Sequence, residues 1–114
     1  MKIKKLFYNW WNSARSFKYK KVYFVSSINK IPEGKLEKHI YIVSKEGKNL
    51  WVVMDCPKGH DRRIEVNLMK SIKPFWEIQL QNGKLTLYPS IVVSGKSCNC
   101  HFWLRDNKVY DAHW

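Results

Sequence analysis

Acidic residues are scarce in this chain: nine Asp and Glu stand against 21 Lys and Arg, a formal net charge of +12 over 114 residues. The imbalance is steepest at the start, where residues 1–32 carry Lys2, Lys4, Lys5, Arg15, Lys18, Lys20, Lys21 and Lys30 and no acid before Glu33. A surface of one sign implies an acidic partner. Long hydrophobic runs are also missing. No stretch reaches the roughly eighteen apolar residues that a spanning helix needs. The opening MKIKKLFYNWWNS is basic like a signal peptide, but Asn9 and Asn12 break its apolar stretch and no small-residue cleavage site follows. These absences argue against export and point to a cytoplasmic protein. Glycine and proline number only five and four and never cluster into a linker, so one domain over residues 1–114 is expected. Cysteine is sparse and odd in number, with Cys98 and Cys100 separated by one residue. That is a poor disulfide framework and favours thiols in a reducing compartment.

What is present is patterned. Ile3, Leu6, Phe7, Trp10, Trp11, Ala14 and Phe17 fall at the spacing of one helical face, opposite Lys2, Lys5, Asn9, Ser13 and Ser16. The spacing predicts a basic amphipathic helix over 1–20. From Lys21 onward the period becomes alternating, over 21–25, 39–43, 50–54, 62–67, 76–80, 85–88, 101–104 and 108–110. Asn82-Gly83 tolerates the pair of positive φ angles of a type I′ hairpin turn, and Arg105-Asp106-Asn107 reads as another tight turn. The expected fold is therefore mostly β within an α+β class: seven or eight short antiparallel strands over 21–114 behind one leading helix.

Two Cys/His pairs carry the candidate chemistry: Cys56-Pro57-Lys58-Gly59-His60 and Cys98-Asn99-Cys100-His101. Each places two thiol or imidazole donors a few residues apart at a strand end, as zinc knuckles do, and Pro57 and Gly59 help the first loop turn back on itself. Four ligands would close a tetrahedral zinc site and leave no position for a substrate water, which makes the site structural. For a chain this short, such a pin supplies folding energy that a small core lacks. The competing reading is buried thiols and incidental histidines. Spacing alone leaves Cys100 or His101 open as the fourth ligand.

The span from Cys56 to the C-terminus resembles a family of small bacterial and phage proteins without an assigned activity. The resemblance rests on Cys56-Pro57-x-Gly59-His60, Ile64-x-Val66-Asn67-Leu68, Trp76-x-Ile78, Gly83-x-Leu85-Thr86-Leu87-x-Pro89-Ser90-Ile91 and Cys98-x-x-His101-Phe102-Trp103-Leu104-Arg105. Members pair a Cys-Pro-Cys-Gly-Cys-type knuckle with a Cys-x-Ser-His-Phe-Trp-Ile knuckle. Some are encoded beside ubiquitin-like proteins and E1-like and E2-like enzymes in conjugation and defence operons. The resemblance implies Cys56, His60, Cys98 and His101 as the ligand set, with Lys58 and Cys100 at variable positions.

Trp51, Trp76, Trp103 and Trp114 lie in or beside the expected strands, where large rings mostly build core. By analogy, two sheets joined by paired knuckles would suit a zinc-pinned, β-tent-like arrangement. Catalysis finds little support at this level. Cys100 beside His101 is the one nucleophile pairing, and the metal already claims the histidine. The expected function is a non-catalytic, zinc-containing accessory or E3-like adaptor in a bacterial ubiquitin-like conjugation and antiphage pathway. Its partner would be an E1/E2-like enzyme or the ubiquitin-like protein, met through Lys2, Lys4, Lys5, Trp10, Trp11, Arg15, Lys18, Lys20 and Lys21. The alternatives are a basic nucleic-acid-binding zinc protein and a small metalloenzyme; peripheral contact of the basic helix with a membrane surface is not expected.

Overall fold

The computed structural model describes residues 17–58, 62–95 and 99–112. Its strands are β1 (Lys21–Val25), β2 (His39–Lys45), β3 (Lys48–Asp55), β4 (Arg63–Asn67), β5 (Glu77–Gln81), β6 (Lys84–Val93), β7 (Cys100–Arg105) and β8 (Lys108–Asp111). They form two four-stranded sheets, ordered β1-β2-β3-β4 and β5-β6-β7-β8. Three tight hairpins join neighbours, with positive φ at Glu46 and Gly47, at Asn82 and Gly83, and at Asp106 and Asn107. Such paired left-handed residues match the turn's twist to the strands.

Alternation along the strands decides what is buried. Ile40, Ile42, Val52, Met54, Ile64 and Val66 of the first sheet meet Leu85, Leu87, Ile91, Val93, Phe102, Leu104 and Val109 of the second in one shared core. The far face of the first sheet is covered by the segment between β1 and β2, whose Ile31 and Leu36 pack on Val43 and Val53. The second sheet's far face is left outward, and it presents Ser90, Val92, His101, Trp103 and Tyr110 between the buried positions.

Two expectations need correction. The fold is all-β among the described residues, the one helical element being a three-residue 3-10 turn at Ile28–Lys30. Most of the leading helix expected over 1–20 falls outside the described residues, and where it overlaps them the chain is extended. Lys18 bridges to Lys108, Val109 N–H donates to Phe17 C=O (3.2 Å) and Tyr19 N–H to Asn107 C=O (2.8 Å). Phe17 to Lys20 thus alternate like a strand, burying Tyr19 completely against the shared core. Backbone pairing with β8 outweighs the local helical period, which itself supplies little stability. The second correction is that β1 pairs with β2 in parallel, because the connection over 26–38 carries the chain back to the end from which β1 began.

Candidate functional site

β6 and β7 are paired antiparallel with an irregularity: Leu87 faces Leu104 and Ile91 faces Phe102, so Tyr88, Pro89 and Ser90 all stand opposite Trp103 alone. A bulge of this kind bends a strand and re-aims its side chains. Here it turns Ser90 toward β7, where His101 lies on the same outward face. Ser90 Oγ and His101 Nε2 are 2.8 Å apart, and both residues are half-buried. The Ser90 backbone is fixed from the other side by the Trp76 indole, whose Nε1–H donates to Ser90 C=O at 3.1 Å. A serine hydroxyl is a weak nucleophile until a base within hydrogen-bond reach takes its proton, and an imidazole nitrogen at this distance is such a base.

Of the candidate zinc ligands in β7, Cys100 and His101 lie on opposite sides of this sheet. Cys100 precedes His101 in β7 and so points inward, where its sulfur lies 4.0 Å from Cys56 Sγ, both thiols buried. Two thiolates on a tetrahedral zinc ion would stand roughly 3.8 Å apart, given zinc–sulfur bonds of about 2.3 Å. The cysteine pair therefore fits such an ion. His60 and Cys98 lie outside the described residues. Among the described residues no group of three or more His, Cys, Asp or Glu side chains is gathered, and His101 is turned to Ser90. Tyr19 sits beside the thiols and donates its hydroxyl to Asp55 C=O at 2.5 Å. Burial pushes this phenol well above its usual range, and Cys56, Asp55 and Cys100 push it the same way. Lys58, just past Cys56, pairs with Asp111 of β8 at 2.8 Å and ties that loop to the second sheet.

Of the expected partner-binding residues, Lys2, Lys4, Lys5, Trp10, Trp11 and Arg15 lie outside the described residues. Lys18, Lys20 and Lys21 are exposed. No helix among the described residues is long and apolar enough to cross a membrane.

A family model described as bacterial ubiquitination-like system serine protease (BubE) matches residues 24–112. The chain belongs to this family. BubE membership places it in a bacterial ubiquitination-like system and, with that, among protein partners. No curated protein and no solved structure shows significant similarity to the chain. The family overturns the expected function: a BubE protein is a serine protease, not a non-catalytic zinc adaptor. The residue that sequence reasoning passed over is Ser90. It lies in no Gly-x-Ser-x-Gly elbow, and Pro89-Ser90-Ile91 stood out only as part of the resemblance. Its partner His101 is eleven residues away and had been assigned to metal.

Proposed function

We propose that this BubE protein is a serine peptidase that acts on the ubiquitin-like modifier of its own system or on that modifier's conjugates, with Ser90 as nucleophile and His101 as general base. The observation that carries the reading is the 2.8 Å contact between Ser90 Oγ and His101 Nε2 in a chain of a serine-protease family. As Ser90 Oγ bonds to the scissile carbonyl carbon, its proton passes to His101 Nε2. The C–N bond then breaks, and the leaving amine takes that proton. A water molecule, deprotonated by the same imidazole, cleaves the acyl-Ser90 ester and restores the hydroxyl.

The modifier as substrate, in place of an E1/E2-like enzyme as docking partner, follows from joining a peptidase to a conjugation system: conjugation needs a matured chain terminus or a means of reversal. A fluorophosphonate probe tests the nucleophile directly. Labelling of the full chain at Ser90, lost in Ser90→Ala and reduced at least a hundredfold in His101→Ala with folding retained, is the expected result. Equal labelling of Ser90→Ala would exclude Ser90 as the nucleophile.

We also propose that zinc is held on the inner side of the same sheet, by Cys56 and Cys100 with His60 and Cys98, which are close to them in sequence. The 4.0 Å sulfur separation supports Cys100 in the position that His101 was expected to fill. The ion would supply folding energy and leave His101 to serve Ser90.

A further inference from the structure

The outward face of the second sheet is ordered in rows across its strands, and the Ser90–His101 pair is the first. Two residues along both strands, on the same face, comes an aromatic row. Tyr88 is 64% exposed and its ring centroid lies 6.2 Å from that of Trp103, and Trp103 is paired in register with Tyr110 of β8. Two residues further along β7 comes a cationic row. Arg105 stands over the Trp103 ring at 5.3 Å, is paired with Lys108, and Lys108 is bridged to Lys18. Asp106, in the turn, is the one acid between Arg105 and Lys108. None of these six side chains is needed for the core, since the buried partners in the same strands are Leu87, Phe102, Leu104 and Val109.

Along β7, whose ladder is regular through His101, Trp103 and Arg105, the rows are spaced two residues apart, about 6.8 Å, which is also the same-face repeat of any extended peptide. A peptide laid along β7 with its scissile carbonyl at Ser90 therefore sets one side chain on the aromatic row and the next on that face against the cations. Aromatic faces take an apolar side chain, and clustered guanidinium and ammonium groups take a carboxylate. Charge supports the same occupant, because a chain with 21 basic and 9 acidic residues attracts an acidic segment.

We infer that the substrate is an extended peptide segment bearing an apolar side chain next to the cleaved bond and an acidic side chain two residues further on. The apolar group is selected by Tyr88, Trp103 and Tyr110, and the acid by Arg105, Lys108 and Lys18. This rests on the assignment of Ser90 as nucleophile and goes beyond it, by naming what the site selects.

The test uses the full chain and internally quenched peptides, C-terminally amidated, randomised on both sides of a central bond, with products read by mass spectrometry. Peptides carrying the apolar–x–acid pattern should be cleaved at least tenfold faster in kcat/KM than the same peptides with Lys for the acid, the change residing in KM. The double variant Arg105→Glu, Lys18→Glu, both at exposed positions, should invert that preference. Trp103→Ala should lower kcat/KM for the apolar peptides about ten- to a hundredfold, and Tyr88→Ala should do so in the same direction. Cleavage without acidic preference, or a preference that survives the charge reversal, overturns the inference while leaving Ser90 in place. Turnover no greater than that of Ser90→Ala overturns both.

Discussion

Ser90 gains its chemistry from its surroundings, and each constraint on it comes from a different strand or loop. The bulge in β6 aims the side chain, His101 of β7 meets the hydroxyl, and Trp76, ahead of β5, holds the backbone carbonyl. The indole is half-buried at the margin of the shared core, so its ring packs while its N–H holds the Ser90 carbonyl. Trp76→Phe keeps the ring and removes the donor. We expect a stability loss of about 1 kcal/mol, typical of one hydrogen bond. We also expect a several-fold fall in kcat at nearly constant KM, since the backbone that presents Ser90 loosens without altering the substrate-facing residues. Steady-state kinetics beside a thermal melt separates the two effects, and an unchanged kcat would show that the indole only packs. None of this was visible along the chain, because one serine and one histidine eleven residues apart have no spacing that marks a pair. As the last residue of Cys98-Asn99-Cys100-His101, His101 reads as a ligand, yet alternation in a strand sends Cys100 and His101 to opposite faces.

Among the elements, the segment between β4 and β5 does the most with the least regular structure. Asn67, buried at the end of β4, donates through Nδ2 toward the carbonyls of Met69, Ile72 and Pro74 and accepts the Met69 N–H, while its own carbonyl accepts the Trp76 N–H. One side chain thereby replaces the ladder that an irregular segment lacks, while the Asn67 backbone carbonyl holds Trp76 beside Ser90. Asn67→Ala leaves several of those groups without their partner. The expected cost is about 3 kcal/mol, measured as a lowered urea midpoint at unchanged m-value. A shift under about 0.5 kcal/mol would mean that water substitutes for the amide. Sequence reasoning served this scale best. The eight strands overlap the segments that alternation marked, although β6 runs on past Tyr88 to Val93, and Asn82-Gly83 and Asp106-Asn107 take the positive φ angles that their chemistry tolerates. It failed where a local period had to compete with a distant partner. Phe17 to Lys20 carry the tail of a helical pattern but pair with the start of β8, and β1 joins β2 in parallel through a connection whose path no local pattern describes.

Across the whole molecule, two sheets share one core and are tied together near Cys56 and Cys100. There the thiols of the first sheet's exit loop and of β7 approach to 4.0 Å, and Tyr19 spans from the N-terminal segment to Asp55. With zinc on these sulfurs, the metal would join the sheets from inside while the nucleophile works outside. Metal analysis of the purified chain should find one equivalent. A strong chelator should lower the melting temperature by ten degrees or more, and Cys56→Ser and Cys100→Ser should each lose the metal. A chain that melts at the same temperature with and without chelator would sink the zinc proposal and leave the Ser90–His101 assignment standing.

The sequence by itself determined the strands and their turns, the basic surface and a connection to bacterial ubiquitin-like systems, because each is written in local periods, counts or contiguous motifs. Tertiary structure decided that Ser90 faces His101 and that Cys100 faces Cys56. Both contacts are set by a strand register and a bulge, and a register is fixed only when two sheets bury their faces together, across separations that no spacing along the chain encodes.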